Sequence, residues 1–146
     1  MALEAVFGMA STLALFSWIA LLIFYPRKWI YQTLLSGVLI LLGLTYAFYV
    51  IPALLDSPDG GFNTLAQVRA LFQSDEALLA GWIHYLAFDL FVGMWITKDA
   101  WDRDISRWLV FPCLILTFMM GPIGLLTYLL VRGIKTRQFN QSPFHP

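Results

Sequence analysis

Apolar residues arrive in this chain in long blocks. Residues 3–25, 30–54, 76–98 and 108–131 are nearly uninterrupted hydrophobic runs, with the polar residues gathered between them. About 20 mostly apolar residues cross a bilayer core, so the pattern predicts four membrane-spanning helices. The first two are joined by only Pro26-Arg27-Lys28-Trp29. So short a turn forces an antiparallel hairpin, with Trp29 and Tyr31 at headgroup depth. Residues 55–75 form the one long connection. Its Asp56-Ser57-Pro58-Asp59-Gly60-Gly61 is turn chemistry, because proline presets φ and glycine allows positive φ. Asn63 then stands as the N-cap of a short amphipathic helix over residues 63–73. Leu65, Val68, Leu71 and Phe72 share its apolar face, which is expected to lie along the membrane surface. Asp75 and Glu76 suit the N-terminus of the third span.

Gly121-Pro122 interrupts the fourth run. A proline there removes an intrahelical hydrogen bond and frees the Phe118 carbonyl, which predicts a kink. A polar tail over residues 132–146 is expected to fray. The expected fold class is all-α: a single-domain integral membrane bundle of four transmembrane helices, with a short amphipathic helix between helices two and three.

Composition agrees with a membrane protein. Of 146 residues, 60% are hydrophobic and only 12% charged, against about 25% charged in an average soluble domain. Polar surface is too scarce to coat a water-soluble globule. Net charge is zero, so nothing points to nucleic acid as a partner. Cys113 is the sole cysteine and excludes an internal disulfide. No basic region precedes the first apolar run, where Glu4 is the only charge before Arg27, so that run is read as a retained helix rather than a signal peptide. Four crossings would put both ends of the chain on one side and divide the nine basic residues five to four. Short-loop weighting of the positive-inside rule then leans towards termini outside.

The third run carries the candidate chemistry. It places Asp89 in mid-span and His84 five residues earlier. An ionisable side chain near the bilayer midplane costs roughly 2.5–3.5 kcal/mol on insertion scales and by default marks a functional site. No basic residue lies inside any span. Asp89 is therefore expected to be protonated, hydrogen-bonded to a hydroxyl or a freed carbonyl, or next to water. The alternative is a buried acid that joins helix three to a neighbour.

His84 and Asp89 are about 140° apart around the helix, which argues against a dyad or a metal pair, and no HxxxH or ExxH spacing occurs. No metal or cofactor is expected. His84, Phe88, Phe91 and Trp95 form a stripe against which a flat polyene or sterol ring would lie, although plain helix packing explains the same spacing. Asp89 and Gly93 share another face, where glycine permits close approach of a neighbouring backbone or ligand. Asp99, Asp102 and Asp104 lie among Lys98, Arg103 and Arg107 at the membrane edge. Rim salt bridges account for them, with Asp99, beside Trp95 and Trp101, the one to watch. Trp82, Tyr85 and Pro122 complete the candidate ligand-contacting set.

Two stretches also carry a resemblance. Gly81-Trp82-Ile83-His84-Tyr85-Leu86-Ala87-Phe88-Asp89-Leu90-Phe91-Val92-Gly93, with Trp95 and Asp99, and Leu116-Thr117-Phe118-Met119-Met120-Gly121-Pro122-Ile123-Gly124-Leu125-Leu126 resemble the abscisic-acid-deficient-four-like family of small four-helix membrane proteins. Its plant member is a plastid protein required for making neoxanthin from violaxanthin. The resemblance covers nearly the whole chain. With no plant-type transit peptide, it implies a bacterial or cyanobacterial relative in an inner or thylakoid membrane.

The resemblance further implies a carotenoid or other apolar lipid as partner, with a homo-oligomer or carotenoid-biosynthesis enzymes alongside. It also implies a cofactor-independent isomerisation of an epoxy-carotenoid end group. Asp89 would be the acid, and His84 or Asp99 the base if packing brings one into reach. A non-catalytic pigment- or lipid-binding scaffold stands beside that reading, and a transporter is a weaker third.

Overall fold

The computed structural model describes residues 3–25 and 27–137. Pro26 of the expected first turn, and residues 138–146 of the expected tail, lie outside them. The described chain is helical, with six helices: α1 Leu3–Phe24, α2 Lys28–Leu55, α3 Leu65–Leu71, α4 Asp75–Asp102, α5 Arg107–Met120 and α6 Pro122–Thr136. Among the described residues, α1, α2 and α4 are long and apolar enough to cross a membrane. No strand occurs among them. The protein is a membrane protein on this evidence.

The three long helices pair along their length. α1 and α4 run parallel: Phe7 meets Trp82 (centroids 5.4 Å apart), Trp18 packs on Gly93, and Tyr25 meets Trp101 at 6.3 Å. A Cβ on Gly93 would collide with the Trp18 ring, so this glycine is what lets α1 and α4 close together. α2 returns antiparallel to α4, with the Tyr31 hydroxyl donating to Thr97 Oγ1 (3.2 Å) and Tyr46 beside His84 (5.5 Å). It contains a π-helical segment, Leu34–Leu39, and its outer face is the most exposed of the three.

The long connection holds α3, seven residues long. Its N-cap is Thr64, whose Oγ1 accepts from Gln67 N (3.2 Å), and not Asn63. The expected apolar face is only partly used: Leu71 is buried, while Leu65 and Phe72 are exposed. Ser74 caps α4 by accepting from Ala77 N at 3.0 Å, which fits its preference for that position.

The fourth run departs from the expectation. Residues 108–131 do not make one kinked crossing; they divide between α5 and α6, which fold back on each other at Gly121. A Cβ on Gly124 would strike the Thr117 backbone, seven residues earlier, a proximity impossible in a continuous helix rising 1.5 Å per residue. α5 starts beside Tyr25, with the Arg107 guanidinium over its ring, and descends until Phe118 reaches Trp18 and Tyr85. α6 then climbs again, so that Tyr128 and Arg132 meet Asp99. Gly121 adopts φ +36°, open to glycine far more readily than to residues with a Cβ. Pro122 occupies the first position of α6, where its missing N–H leaves nothing unsatisfied.

This arrangement is a re-entrant helical hairpin. Its arms of 14 and 15 residues are each about 21–22 Å long, short of the ~30 Å hydrocarbon core. The stretch from Arg132 onward, expected to fray, is helical to Thr136.

The hairpin also changes the topology. Leu3 and Thr136 lie at opposite ends of the bundle. Arg132, Lys135 and Arg137 join Arg27, Lys28, Lys98, Arg103 and Arg107 at the end where α1 and α4 finish. Only Arg69 of the nine basic residues remains at the other end, with Glu4, Asp56, Asp59, Asp75 and Glu76. The expected five-to-four division becomes eight to one.

Candidate functional site

α4 positions the candidate residues at successive depths. Asp89 is fifteenth of the helix's 28 residues, roughly 20 Å from either end. The hairpin tip arrives at this level: a Cβ on Gly121 would collide with the Asp89 carboxyl. The side chain is 8% exposed, and its Oδ2 has no hydrogen-bond partner. Tyr85, one turn earlier, lies close to the carboxyl and donates its hydroxyl to the Phe118 carbonyl at 3.2 Å. This is the carbonyl that the helix break was expected to free. The tip thus gathers a buried acid, a phenol and the ends of two half-helices in mid-membrane. Irregular backbone at that depth is tolerated only where protein or a cavity shelters it.

Beyond the tip, towards the acidic end, the hairpin no longer covers this face of α1 and α4, and among the described residues Phe72 borders it by packing on Gly81. An apolar groove of about 680 Å³ runs there, walled by Leu3, Phe7, Leu78, Trp82 and Tyr85, with Glu4 and Asp75 at its mouth. Trp82 is fixed by donating from Nε1 to Ser11 Oγ (3.0 Å) and by rings on both sides, Phe7 and Tyr85, each 5.4 Å away. Tyr85 closes the inner end of the groove, and Asp89 lies one turn behind it, shielded by Gly121.

The other candidates are placed elsewhere. His84 faces α2, stacked on Phe88 (4.4 Å) and beside Tyr46; it does not meet Asp89. Phe88 and Phe91 are exposed on the lipid side, whereas Trp95 turns inward to Tyr128 (5.8 Å). The aromatic stripe is therefore split, its lower part outward and its upper part packed. Gly93 serves the Trp18 contact, and Pro122 starts α6.

Asp99 is ten residues, about 15 Å, beyond Asp89 along α4. It accepts from Arg103 Nε (2.9 Å), the Tyr128 hydroxyl (2.6 Å) and Arg132 Nη1 (3.5 Å), with the Arg132 guanidinium also over the Trp95 ring at 5.9 Å. It is a buried anchor for α6. Asp102 pairs with Lys98 at the exposed rim, as expected. No cluster of three His, Cys, Asp or Glu suited to a metal occurs among the described residues.

Sequence reasoning missed Trp18, Tyr128 and Arg132. The first two are ordinary aromatic residues within apolar runs. Arg132 follows an apolar run as interfacial basic residues ordinarily do, and no local spacing paired it with Asp99, 33 residues earlier.

A family model described as ABA DEFICIENT 4-like matches residues 5–128, from α1 through the first half of α6. Searches of curated proteins and of solved structures return no significant match.

Proposed function

The chain belongs to the ABA DEFICIENT 4-like family, and on that premise we propose that it acts in carotenoid metabolism as a cofactor-independent isomerase of an epoxy-carotenoid end group. The observation that carries this reading is Asp89, a buried carboxyl with an unpartnered oxygen, set behind Tyr85 at the head of an apolar groove. The proposed setting is a bacterial or cyanobacterial inner or thylakoid membrane.

The chemistry needs no second basic residue. Tyr85 donates its hydroxyl proton to the epoxide oxygen, and Asp89 replaces that proton. The C–O bond to the ring carbon bearing the polyene breaks, leaving a hydroxyl on the neighbouring carbon and a cation delocalised over the polyene. The adjacent polyene carbon then returns a proton to the Tyr85–Asp89 pair. Its C–H electrons form the second double bond of the allene. One proton leaves and one comes back, so substrate and product are isomers and the pair is restored. Trp82 and Phe7 line the groove, and aromatic rings near the reacting end suit a transient cation. His84 and Asp99 have no part in this scheme, being turned to α2 and engaged by two arginines.

The test is turnover of violaxanthin in a carotenoid-producing host or in proteoliposomes. Asp89→Asn and Tyr85→Phe should each lower neoxanthin formation by at least a hundredfold, in the range of a lost general acid. Full turnover by both would sink the reading. A second reading, a pigment-binding protein that presents its ligand to another enzyme, is favoured by the wide mouth of the groove and by the absence, among the described residues, of a second carboxyl or a histidine beside Asp89. Unaltered pigment retained equally by wild type and Asp89→Asn would select it.

A further inference from the structure

The hairpin covers only one half of the α1–α4 face. At the basic end that face is sealed by Phe118 on Trp18, Arg107 on Tyr25 and Tyr128 on Asp99. At the acidic end the hairpin leaves it open from Glu4 and Asp75 inward to Tyr85, ten residues or about 15 Å along α4, with Phe72 on Gly81 at its border. That depth is one leaflet. The groove is therefore accessible from a single leaflet, and the charge distribution identifies which. Eight of nine basic residues lie at the sealed end, and short cytoplasmic segments carry the excess of Lys and Arg.

From these two asymmetries we infer that the ligand enters sideways from the non-cytoplasmic leaflet. It is a membrane-dissolved isoprenoid whose oxygen-bearing end points inward to Tyr85. Its class rests on the proposed function; its route rests on the fold alone. The apolar walls disfavour a water-borne solute, and the half-buried Tyr85 at the inner end, with the Asp89 carboxyl behind it, supplies a polar reward for deep insertion. The groove extends about 15 Å from Tyr85 to its mouth, so a C20 isoprenoid alcohol with its oxygen at Tyr85 covers the apolar walls along that length, whereas a C5 alcohol leaves most of them uncovered and should bind far more weakly.

The experiment uses full-length protein in intact cells. Glu4→Cys and Lys135→Cys are treated separately with a bulky membrane-impermeant maleimide; native Cys113 is fully buried and serves as the unreactive background. The cells are then photolysed with a diazirine-bearing C20 isoprenoid alcohol, and adducts are mapped by mass spectrometry. Glu4→Cys should label from outside and Lys135→Cys should not. Adducts should fall on the peptide containing Leu78 and Trp82 and be lost after Glu4→Cys is labelled. External labelling of Lys135→Cys alone would overturn the orientation. Adducts unchanged by labelling at Glu4→Cys, or equally abundant on the exposed Leu35 and Ile51 of α2, would overturn the route. Photolysis needs no turnover, so adducts on that peptide in wild-type protein that makes no neoxanthin would refute the proposed chemistry and leave this inference standing.

Discussion

Asp99→Asn should release the re-entrant hairpin. In the native state the carboxylate accepts from Arg103, Tyr128 and Arg132, and the side chains of Asp99 and Arg132 are only 5% and 6% exposed. Removing one member of a buried ion pair costs about 3–5 kcal/mol, because the charge left behind is no longer compensated. Both arginines have further interactions and lie near the membrane edge, so the lower figure applies. A loss of about 3 kcal/mol is roughly a hundredfold rise in the population with α6 detached, since 1.4 kcal/mol is a factor of ten.

Cys113 reports that population. It sits on α5 with no exposed surface and is reached by reagent only when the hairpin lifts away from α1 and α4. In detergent micelles, maleimide labelling of Cys113 should be about a hundredfold faster in Asp99→Asn than in wild type. Asp102→Asn, which breaks an exposed i,i+4 pair with Lys98, should change the rate by no more than about threefold, as surface pairs are worth under about 1 kcal/mol. Adding Arg132→Gln to Asp99→Asn should recover part of the loss by removing the stranded charge. Labelling of Asp99→Asn within threefold of wild type would refute the idea that this cluster holds α6.

Three further outcomes follow from the tip and the helix faces. Gly121→Ala adds a Cβ at φ +36° and against the Asp89 carboxyl; it should cost about 1–3 kcal/mol, and an Asp89→Gly background should relieve the collision but not the backbone strain, as read by thermal melting in micelles. Gly124→Ala drives a Cβ into the Thr117 backbone and should lower stability by about 1–3 kcal/mol, whereas Gly43→Ala meets nothing within 4 Å and should raise it by about 0.5–1 kcal/mol; equal effects of the two would contradict the hairpin packing. His84→Ala should keep carotenoid turnover within about twofold of wild type, since the ring stacks on Phe88 away from Asp89; a hundredfold loss would return His84 to the reaction.

Much of this was legible in the sequence. Hydropathy located α1, α2 and α4 because each is a single apolar run longer than a bilayer is thick. Asp89 stood out because a carboxyl in mid-span has no solvent to satisfy it. The glycine at position 93 announced a close approach, which proved to be a tryptophan ring. The fold-back at Gly121 was not legible, for a physical reason. Two antiparallel half-length helices and one kinked crossing have the same composition, the same apolar length and the same Gly-Pro break. Only tertiary contacts separate them. Two weaker signs pointed the right way: Gly124 three residues beyond the break, small enough to admit Thr117, and a basic-residue count that refused to choose a side under a four-crossing topology.

The break accounts for both the site and its isolation. A hairpin that turns at the midplane must satisfy its tip without water, and it does so with α4: Tyr85 takes up the Phe118 carbonyl, and Asp89 fills the space that only glycine leaves open. Were these contacts purely structural, any side chain of similar shape able to hydrogen-bond would serve, and Asp89→Asn would leave both fold and turnover intact. A carboxyl with an unpartnered oxygen is a poor choice for structure alone, because an unsatisfied buried acceptor costs about 1–3 kcal/mol. Retaining that cost at the one place where the groove, the phenol and the broken helix converge makes sense if the oxygen exchanges a proton with what enters the groove. Asp89→Asn is nearly isosteric but replaces a carboxyl oxygen with an NH2 that does not exchange a proton with the ligand. A variant that keeps the wild-type Cys113 labelling rate while losing turnover would separate the two roles within a single substitution.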